Sequence, residues 1–181
     1  ILPLSGPYRT YGNRALQGIE LALNEYHRDN PEKPIRIMVK DTASDPFQAV
    51  EAVKELDQAN VSTIIGPIIT SEPAAMEAQS RGIPIILFTQ KENVTQIGEF
   101  VFRNFMTPHM QTKAMAAFAV NQMNLKRFVI LYPDENYGNT YMNLFWDEVV
   151  DLGAKIVGVE SYDPLDTDFA SPVKKLVGLH Y

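Results

Sequence analysis

Residues 64–75 read IIGPIITSEPAA, an apolar run that ends at Gly-Pro and is followed by Thr-Ser-Glu and two alanines. The apolar run predicts a buried strand, and the polar residues after the turn are typical of a capped helix start. A strand that leads through a glycine turn into a helix can cradle a ligand, because the first backbone N–H groups of the helix are unpaired. It can equally be a simple connection, so both interpretations stay open at this point.

The rest of the chain repeats the alternation of strand and helix. Asp45 followed by Pro46 predicts an N-cap with proline at the first helical position. Alternating apolar residues predict that Ile35, Ile37 and Val39 point inward from a strand. The predicted strands are 1–4, 35–42, 61–66, 83–88, 99–106, 126–133 and 154–163. The predicted helices are 11–30, 45–60, 70–82, 107–124, 136–153 and 167–178.

Strands separated by helices of this length predict an α/β fold with parallel sheets covered on both faces. Ligands in such folds bind outside the carboxyl ends of the strands. A second series of elements begins at residue 107, which predicts a domain boundary between residues 106 and 107. This series holds too few strands for a closed core, so we expect the chain to be truncated at its C-terminus. The chain opens within a predicted strand, so we also expect an N-terminal piece to be missing.

The composition argues against several functional classes. A net charge of -6 disfavours nucleic acid as a partner, and the absence of cysteine removes thiolate chemistry and cysteine-ligated metals. No dinucleotide fingerprint, Walker A motif or nucleophile elbow occurs, and His27 and His109 lack metal-ligand spacing. We therefore expect no enzymatic activity, no cofactor and no metal.

Hydroxyl, amide and aromatic residues remain in the turns at the predicted carboxyl ends of the strands. These groups form hydrogen bonds and stack, as a binding site requires, without titrating near neutral pH. Thr70 and Ser71 can also be plain helix caps, and the two tyrosines can be ordinary surface residues. Each tyrosine precedes a glycine at a helix start, in TYGN and NYGN, which favours a shared role. The candidate ligand-binding residues are Tyr11, Thr70, Ser71, Thr89, Gln90 and Tyr137.

The order and spacing of several segments resemble the type I periplasmic binding proteins of the branched-chain-amino-acid receptor group. The matching segments are LSGPYRTYGNRALQGIELALNE, DTASDPFQAVEAVKEL, IIGPIITSEPAAMEAQSRGIPIILFT, FVFRNFMTPHMQTKAMAAF and RFVILYPDENYGNTYMNLFWDEVVDLGAKIVGVESYDPLDTDFASPVKKL. The resemblance implies two doubly wound parallel-sheet lobes with a cleft between them. Residues 1–106 would be the first lobe without its return segment, and residues 107–181 the N-terminal part of the second.

The resemblance also implies a function. An extracytoplasmic receptor of this kind captures an amino acid or related compound by hinge closure and delivers it to an ABC permease, with or without a lipid anchor. Thr70, Thr89 and Gln90 would hold the ligand's carboxylate and ammonium with Ser71 beside them, and Tyr11 and Tyr137 would be the aromatic contacts. A second branch of the fold stays open as an alternative, namely periplasmic lipoproteins that activate a penicillin-binding protein. A cytosolic enzyme and a transcription regulator have less support, because neither catalytic residues nor a helix-turn-helix is visible.

Overall fold

A computed structural model describes residues 1–179 of the chain. The chain divides into two compact units, which we call unit 1 (Ile1–Phe105) and unit 2 (Met106–Tyr181). The last two residues of the predicted segment 107–181 lie outside the described residues. Within the described part of the chain, no helix has the length and apolar character needed to cross a membrane.

Unit 1 is built on a parallel sheet of three short strands in the order β1-β2-β3. Ile64 pairs with Ile85, and Ile86 pairs with Phe102. In chain order the elements are α1 (Arg9–Asp29), α2 (Pro46–Gln58), β1 (Ile64–Ile65), α3 (Ser71–Ser80), β2 (Ile85–Leu87), a 3₁₀ turn (Val94–Gln96) and β3 (Val101–Arg103).

Unit 2 contains a two-stranded parallel sheet, β4-β5, in which Arg127 pairs with Lys155. The edge-to-face rings of Phe128 and Phe145, whose centroids are 5.8 Å apart, pack β4 against a helix. The elements are α4 (Pro108–Ala117) with a π-helical turn (Phe118–Gln122), β4 (Arg127–Pro133), α5 (Asn136–Asp151), β5 (Lys155–Tyr162) and α6 (Ala170–Leu176).

The structure confirms the predicted start of α2. The Asp45 carboxylate accepts a hydrogen bond of 2.9 Å from the backbone N–H of Gln48, and Pro46 is the first helical residue. The cap therefore satisfies one of the N–H groups that a helix start leaves unpaired. The buried side chains of α2 recur at helical spacing and face the sheet; they are Ala49, Ala52, Val53 and Leu56.

Two predicted strands near the N-terminus are wrong as regular elements. The first four residues contribute only one parallel bridge, between Leu2 and Asp41, because Pro3 has no N–H to extend the pairing. Residues 35–39 form no strand, and Ile37 and Val39 are exposed rather than inward. The N–H of Ile35 donates to a side chain instead of a neighbouring strand, namely Nε2 of His27 at 3.0 Å.

The exposed segment 35–39 borders an apolar groove of about 860 Å³ in unit 1. Leu16 and Ile19 of α1 line the same groove, and Gly12 is the only residue of α1 that is fully buried. The apolar face of α1 therefore contributes less to the core of unit 1 than its helical periodicity predicts. That core lies instead between α2, α3 and the sheet, where the small side chains Ala74, Ala75 and Ala78 are completely buried.

The glycines of the two Tyr-Gly-Asn segments have a shared packing role. A Cβ at Gly12 would lie 2.0 Å from the carbonyl oxygen of Pro3, and one at Gly138 would lie 1.9 Å from that of Pro133. In each unit the helix start thus approaches the end of the preceding extended segment so closely that only glycine fits. The repeated glycine is therefore explained by packing.

We expect Gly12→Ala and Gly138→Ala each to lower the free energy of unfolding by about 1–3 kcal/mol, since the added methyl group overpacks the helix start. The matched control is Gly18→Ala, because Gly18 lies in α1 with no atom within 4 Å of its added Cβ. That control should be stabilising by about 0.5–1 kcal/mol, as alanine is the better helix former. Urea unfolding measures all three, and equal effects at Gly12 and Gly18 would contradict the packing role.

Candidate functional site

Four of the six predicted site residues lie in two neighbouring turns of unit 1. Thr70 and Ser71 follow β1, whereas Thr89 and Gln90 follow β2. Because β1 and β2 are adjacent and parallel, both turns lie at the same edge of the sheet. A hydrogen bond of 3.1 Å from the N–H of Phe88 to the carbonyl of Pro67 joins the two turns just beyond the strands. The structure therefore brings these four residues to one edge.

Thr70 and Ser71 form the start of α3, with Thr70 as its N-cap. The side chain of Thr70 makes no capping hydrogen bond, so the interpretation of this hydroxyl as a cap is wrong. Thr70 and Ser71 are buried, with only 7% and 0% of their surface exposed. Neither hydroxyl has a hydrogen-bond partner. A buried hydroxyl without a partner costs about 1–3 kcal/mol. This helix start therefore holds polar groups that its own fold leaves unsatisfied.

Thr89 and Gln90 occupy the next turn. Thr89 is buried, and its hydroxyl oxygen accepts a hydrogen bond of 3.2 Å from the N–H of Lys91, which closes the turn after β2. The side chain of Gln90 is exposed beside it. Because the hydroxyl is the acceptor in this bond, Thr89 retains its own proton for donation to another group.

An ion pair that the sequence reasoning did not identify spans the two turns. The Nζ of Lys91 lies 2.6 Å from Oε2 of Glu72, and both side chains are about half exposed. Glu72 stands in the first turn of α3, where the helix dipole favours a negative charge. The carbonyl of Lys91 also accepts a hydrogen bond of 2.8 Å from Nη1 of Arg103 on β3. The only sequence signal for the pair was the presence of opposite charges in two turns that each follow a predicted strand.

A third turn at this edge is organised by Asp41, which is not among the candidate residues. Its Oδ1 accepts hydrogen bonds from the backbone N–H groups of Leu4 at 2.8 Å, Ser5 at 3.2 Å and Ala43 at 2.8 Å. Burial by itself raises the pKa of the Asp41 carboxyl, but bonds from the Ser5 hydroxyl and these N–H groups outweigh it and lower the pKa below 3.8. Asp41 thus ties the first turn to the turn after residue 41.

Unpaired hydroxyls are confined to two turns. In residues 1–179, the buried side-chain oxygens without a hydrogen-bond partner are those of Thr42, Ser44, Thr70 and Ser71. Leu2 pairs with Asp41, and the N-terminal nitrogen of Ile1 donates to the carbonyl of Ile65, so the first segment lies between the two turns. The unsatisfied groups of unit 1 therefore concentrate at one edge of its sheet.

Tyr11 and Tyr137 lie outside these turns, in the first turns of α1 and α5. Their side chains are 60% and 59% exposed, so packing does not account for them as it accounts for the following glycines. Each ring lies beside another tyrosine, with centroids 6.4 Å apart for Tyr8 and Tyr11 and 4.6 Å apart for Tyr137 and Tyr141. Tyr137 thus offers an aromatic surface close to the end of β4, and Tyr11 offers one close to the end of the extended segment at residues 1–4.

The donors at the edge of unit 1 suit an anionic or hydroxyl-bearing ligand better than a metal. Hydroxyls and the N–H groups of a helix start donate hydrogen bonds to anions. Among residues 1–179, no three acidic or histidine side chains come together in an arrangement that could hold a metal ion. The donors at this edge therefore suit hydrogen bonding to a small polar molecule.

The sequence and the fold are similar to those of known binding proteins. A family model described as "Periplasmic binding protein" matches residues 1–179. The Leu/Ile/Val-binding protein homolog 3 of Brucella melitensis is 25% identical over 97% of this chain and 50% of its own length. The isoleucine complex of the branched-chain amino acid transporter substrate-binding protein LivJ from Streptococcus pneumoniae is 25% identical, with a TM-score of 0.61, over 98% of this chain and 52% of its own.

A further similarity concerns the fold alone. The crystal structure of a putative branched-chain amino acid ABC transporter from Rhodospirillum rubrum has a TM-score of 0.83 at 19% identity, covering 98% of this chain and 53% of its own. The chain thus spans about half the length of the curated relatives it matches.

Two N-caps permit a matched test of the unpaired hydroxyl. Thr70→Val should leave the free protein equally stable or about 1 kcal/mol more stable, because it removes an unsatisfied polar group without changing side-chain shape. Thr107→Val should cost about 1 kcal/mol, because the Thr107 hydroxyl accepts a capping bond of 3.2 Å from the N–H of Met110. Urea unfolding compares the two, and a loss at Thr70 as large as that at Thr107 would contradict an unpaired hydroxyl.

The lowered pKa of Asp41 has a consequence for acid stability. The fold favours the carboxylate, so its contribution is complete above the ordinary pKa of 3.8 and is lost as the pH falls through the lower pKa of the folded state. Asp41→Asn keeps an acceptor but removes the charge. We expect the variant to be less stable than the unmodified protein at neutral pH, with the difference shrinking below pH 3.8. Urea titrations at successive pH values measure it, and a difference independent of pH would refute the assignment.

Proposed function

Because the chain belongs to the periplasmic binding protein family, we propose that it captures a small amino acid outside the cytoplasm and presents it to an ABC permease. The family match confirms the resemblance and the α/β fold of the type I periplasmic binding proteins expected from the sequence. The relatives named for leucine, isoleucine and valine make a branched-chain amino acid, or a compound related to one, the proposed ligand.

One observation carries this proposal: two buried hydroxyls without partners stand at the N-terminus of α3, at the sheet edge where α/β proteins bind ligands. A ligand carboxylate would accept hydrogen bonds from Thr70 and Ser71, reached by rotation of their side chains, and from the first N–H groups of α3. It would thereby satisfy groups that are otherwise costly to bury. The free proton of Thr89 is a further donor at the same edge.

The proposal also includes the remaining sequence-based assignments, namely the two lobes, Gln90 and the two tyrosines. Residues 1–106 are proposed to be the first lobe without its return segment, and residues 107–181 the N-terminal part of the second. Gln90 is proposed to bind the polar groups of the ligand, and Tyr11 and Tyr137 to contact it through their exposed rings. As in the family mechanism that the resemblance implies, the ligand would favour a closed state because it binds that state more tightly.

The alternatives have less support. The family consists of solute-binding proteins, which disfavours an enzyme, and the relatives described above are binding proteins for transported solutes. Nothing in these relatives favours an activator of a penicillin-binding protein. A location outside the cytoplasm follows from the family, whereas a lipid anchor remains a prediction from the resemblance.

The proposal is tested by isothermal titration calorimetry of the complete gene product with L-leucine, L-isoleucine and L-valine. A thermal-shift screen over other amino acids, small amides and peptidoglycan fragments accompanies it, since a ligand of the native state raises the melting temperature. We expect Thr70→Val and Thr89→Ala each to weaken binding by about 1–3 kcal/mol, because each removes a hydrogen bond to a buried carboxylate.

The control is Thr107→Val, which loses a helix cap in unit 2 and none of the donors in these turns, and which should bind with unchanged affinity. Thr70→Val is informative in a second way, because it should weaken binding without destabilising the free protein. Unchanged affinity in both Thr70→Val and Thr89→Ala would remove these residues from the site. A shift with peptidoglycan fragments or with no compound at all would argue against an amino-acid receptor.

A further inference from the structure

The ion pair between Glu72 and Lys91 has no role in the proposed capture of an amino acid, although it joins the turn after β1 to the turn after β2. Glu72 directly follows Ser71 in α3, and Lys91 directly follows Gln90 after β2. The pair is half exposed, so it is not part of the core. Pairs of this kind contribute only about 0.2–1 kcal/mol to stability. Stability of the fold therefore does not explain why the pair lies at this edge of the sheet.

The backbone of Lys91 is held by hydrogen bonds, whereas its charged side chain can move. Its N–H donates to the hydroxyl oxygen of Thr89 at 3.2 Å, and its carbonyl accepts from Arg103 at 2.8 Å, so the main chain is held on both sides. The Nζ is held by Oε2 of Glu72, and half of the side chain faces solvent. A lysine side chain has several rotatable bonds, so Nζ can move from Glu72 to another anion without shifting the turn.

Glu72 can release that cation at small cost. It lies in the first turn of α3, where the partial positive charge of the helix N-terminus stabilises a carboxylate even without Lys91. A carboxylate brought to Thr70 and Ser71 gains no positive charge while Lys91 stays on Glu72. Movement of Nζ toward the ligand adds a charge-assisted hydrogen bond, which is stronger than a neutral one, and the helix dipole continues to stabilise Glu72.

We propose that Lys91 is a ligand-binding cation for the carboxylate of a small solute, and that Glu72 is the internal anion that holds Lys91 until the solute arrives. This inference rests on the proposed function, since Lys91 would bind the ligand in the same site and Glu72 would compete with the ligand for Lys91. The α3 start supplies the unpaired buried hydroxyls of Thr70 and Ser71, and Lys91 supplies the positive charge that they lack. Selectivity for a carboxylate over an uncharged amide then follows from Lys91.

Calorimetry on the complete gene product tests this with L-leucine and with L-leucinamide, which lacks the carboxylate. Lys91→Met should weaken the binding of L-leucine about tenfold, the effect of one charge-assisted hydrogen bond. Lys91→Arg, which keeps the charge, should restore most of the loss. Glu72→Gln should bind L-leucine about two- to fivefold more tightly, because Lys91 no longer has to leave a partner. L-Leucinamide should bind weakly to the unmodified protein and be insensitive to Lys91→Met.

The matched control is Lys54→Met, which breaks a half-exposed ion pair of the same length, 2.6 Å to Glu51, on α2. It should not change the affinity for L-leucine. Equal dissociation constants for Lys91→Met and the unmodified protein would overturn the role of Lys91 while the proposed function stands. Tighter binding by Lys91→Met with weaker binding by Glu72→Gln would also overturn it, since Glu72 would then bind the ligand's ammonium. Absence of binding of any branched-chain amino acid to the unmodified protein would overturn both proposals.

Discussion

The parallel pairing of β1 with β2 determines where the candidate site lies, and the other functional inferences depend on it. Because the two strands run in the same direction, the turns after Ile65 and Leu87 emerge at one edge of the sheet. Residues 70–72 and 89–91 become neighbours only through this pairing, and the contact of Glu72 with Lys91 crosses 19 positions of the chain. A different strand order would separate the hydroxyls, the helix start and the charges.

The edge of unit 1 combines groups that the fold satisfies with groups that it does not. Oδ1 of Asp41 accepts hydrogen bonds from three backbone N–H groups and organises its turn, whereas Thr70 and Ser71 are buried without partners. Natural structures leave few such groups unsatisfied, and those that remain need an explanation. Ligand binding supplies one here, because a carboxylate at the α3 N-terminus accepts from the hydroxyls and benefits from the helix dipole. Stability of the free protein and affinity for ligand are therefore expected to oppose each other at Thr70.

Local signals predicted much of the fold correctly. Asp45 and Pro46 begin α2 as expected, and Gly82, with a φ of +68°, follows the end of α3. The strand predicted at 35–42 is wrong because strand formation requires a partner, and His27 takes the N–H of Ile35. The capping interpretation of Thr70 is wrong for a related reason. A threonine before a helix indicates an available cap, but the orientation of its hydroxyl depends on the packing around it.

The sequence by itself determined the order of the helices and of the strands from residue 64 onward, the turns after those strands and the resemblance to the periplasmic binding proteins. These features depend on periodicity, capping residues and spacing, which are properties of neighbouring positions in the chain. Only the tertiary structure decided which hydroxyls lack partners, why Gly12 and Gly138 must be glycine, and that Glu72 meets Lys91. Those features are contacts between distant segments, and they form only when the sheet and helices pack together.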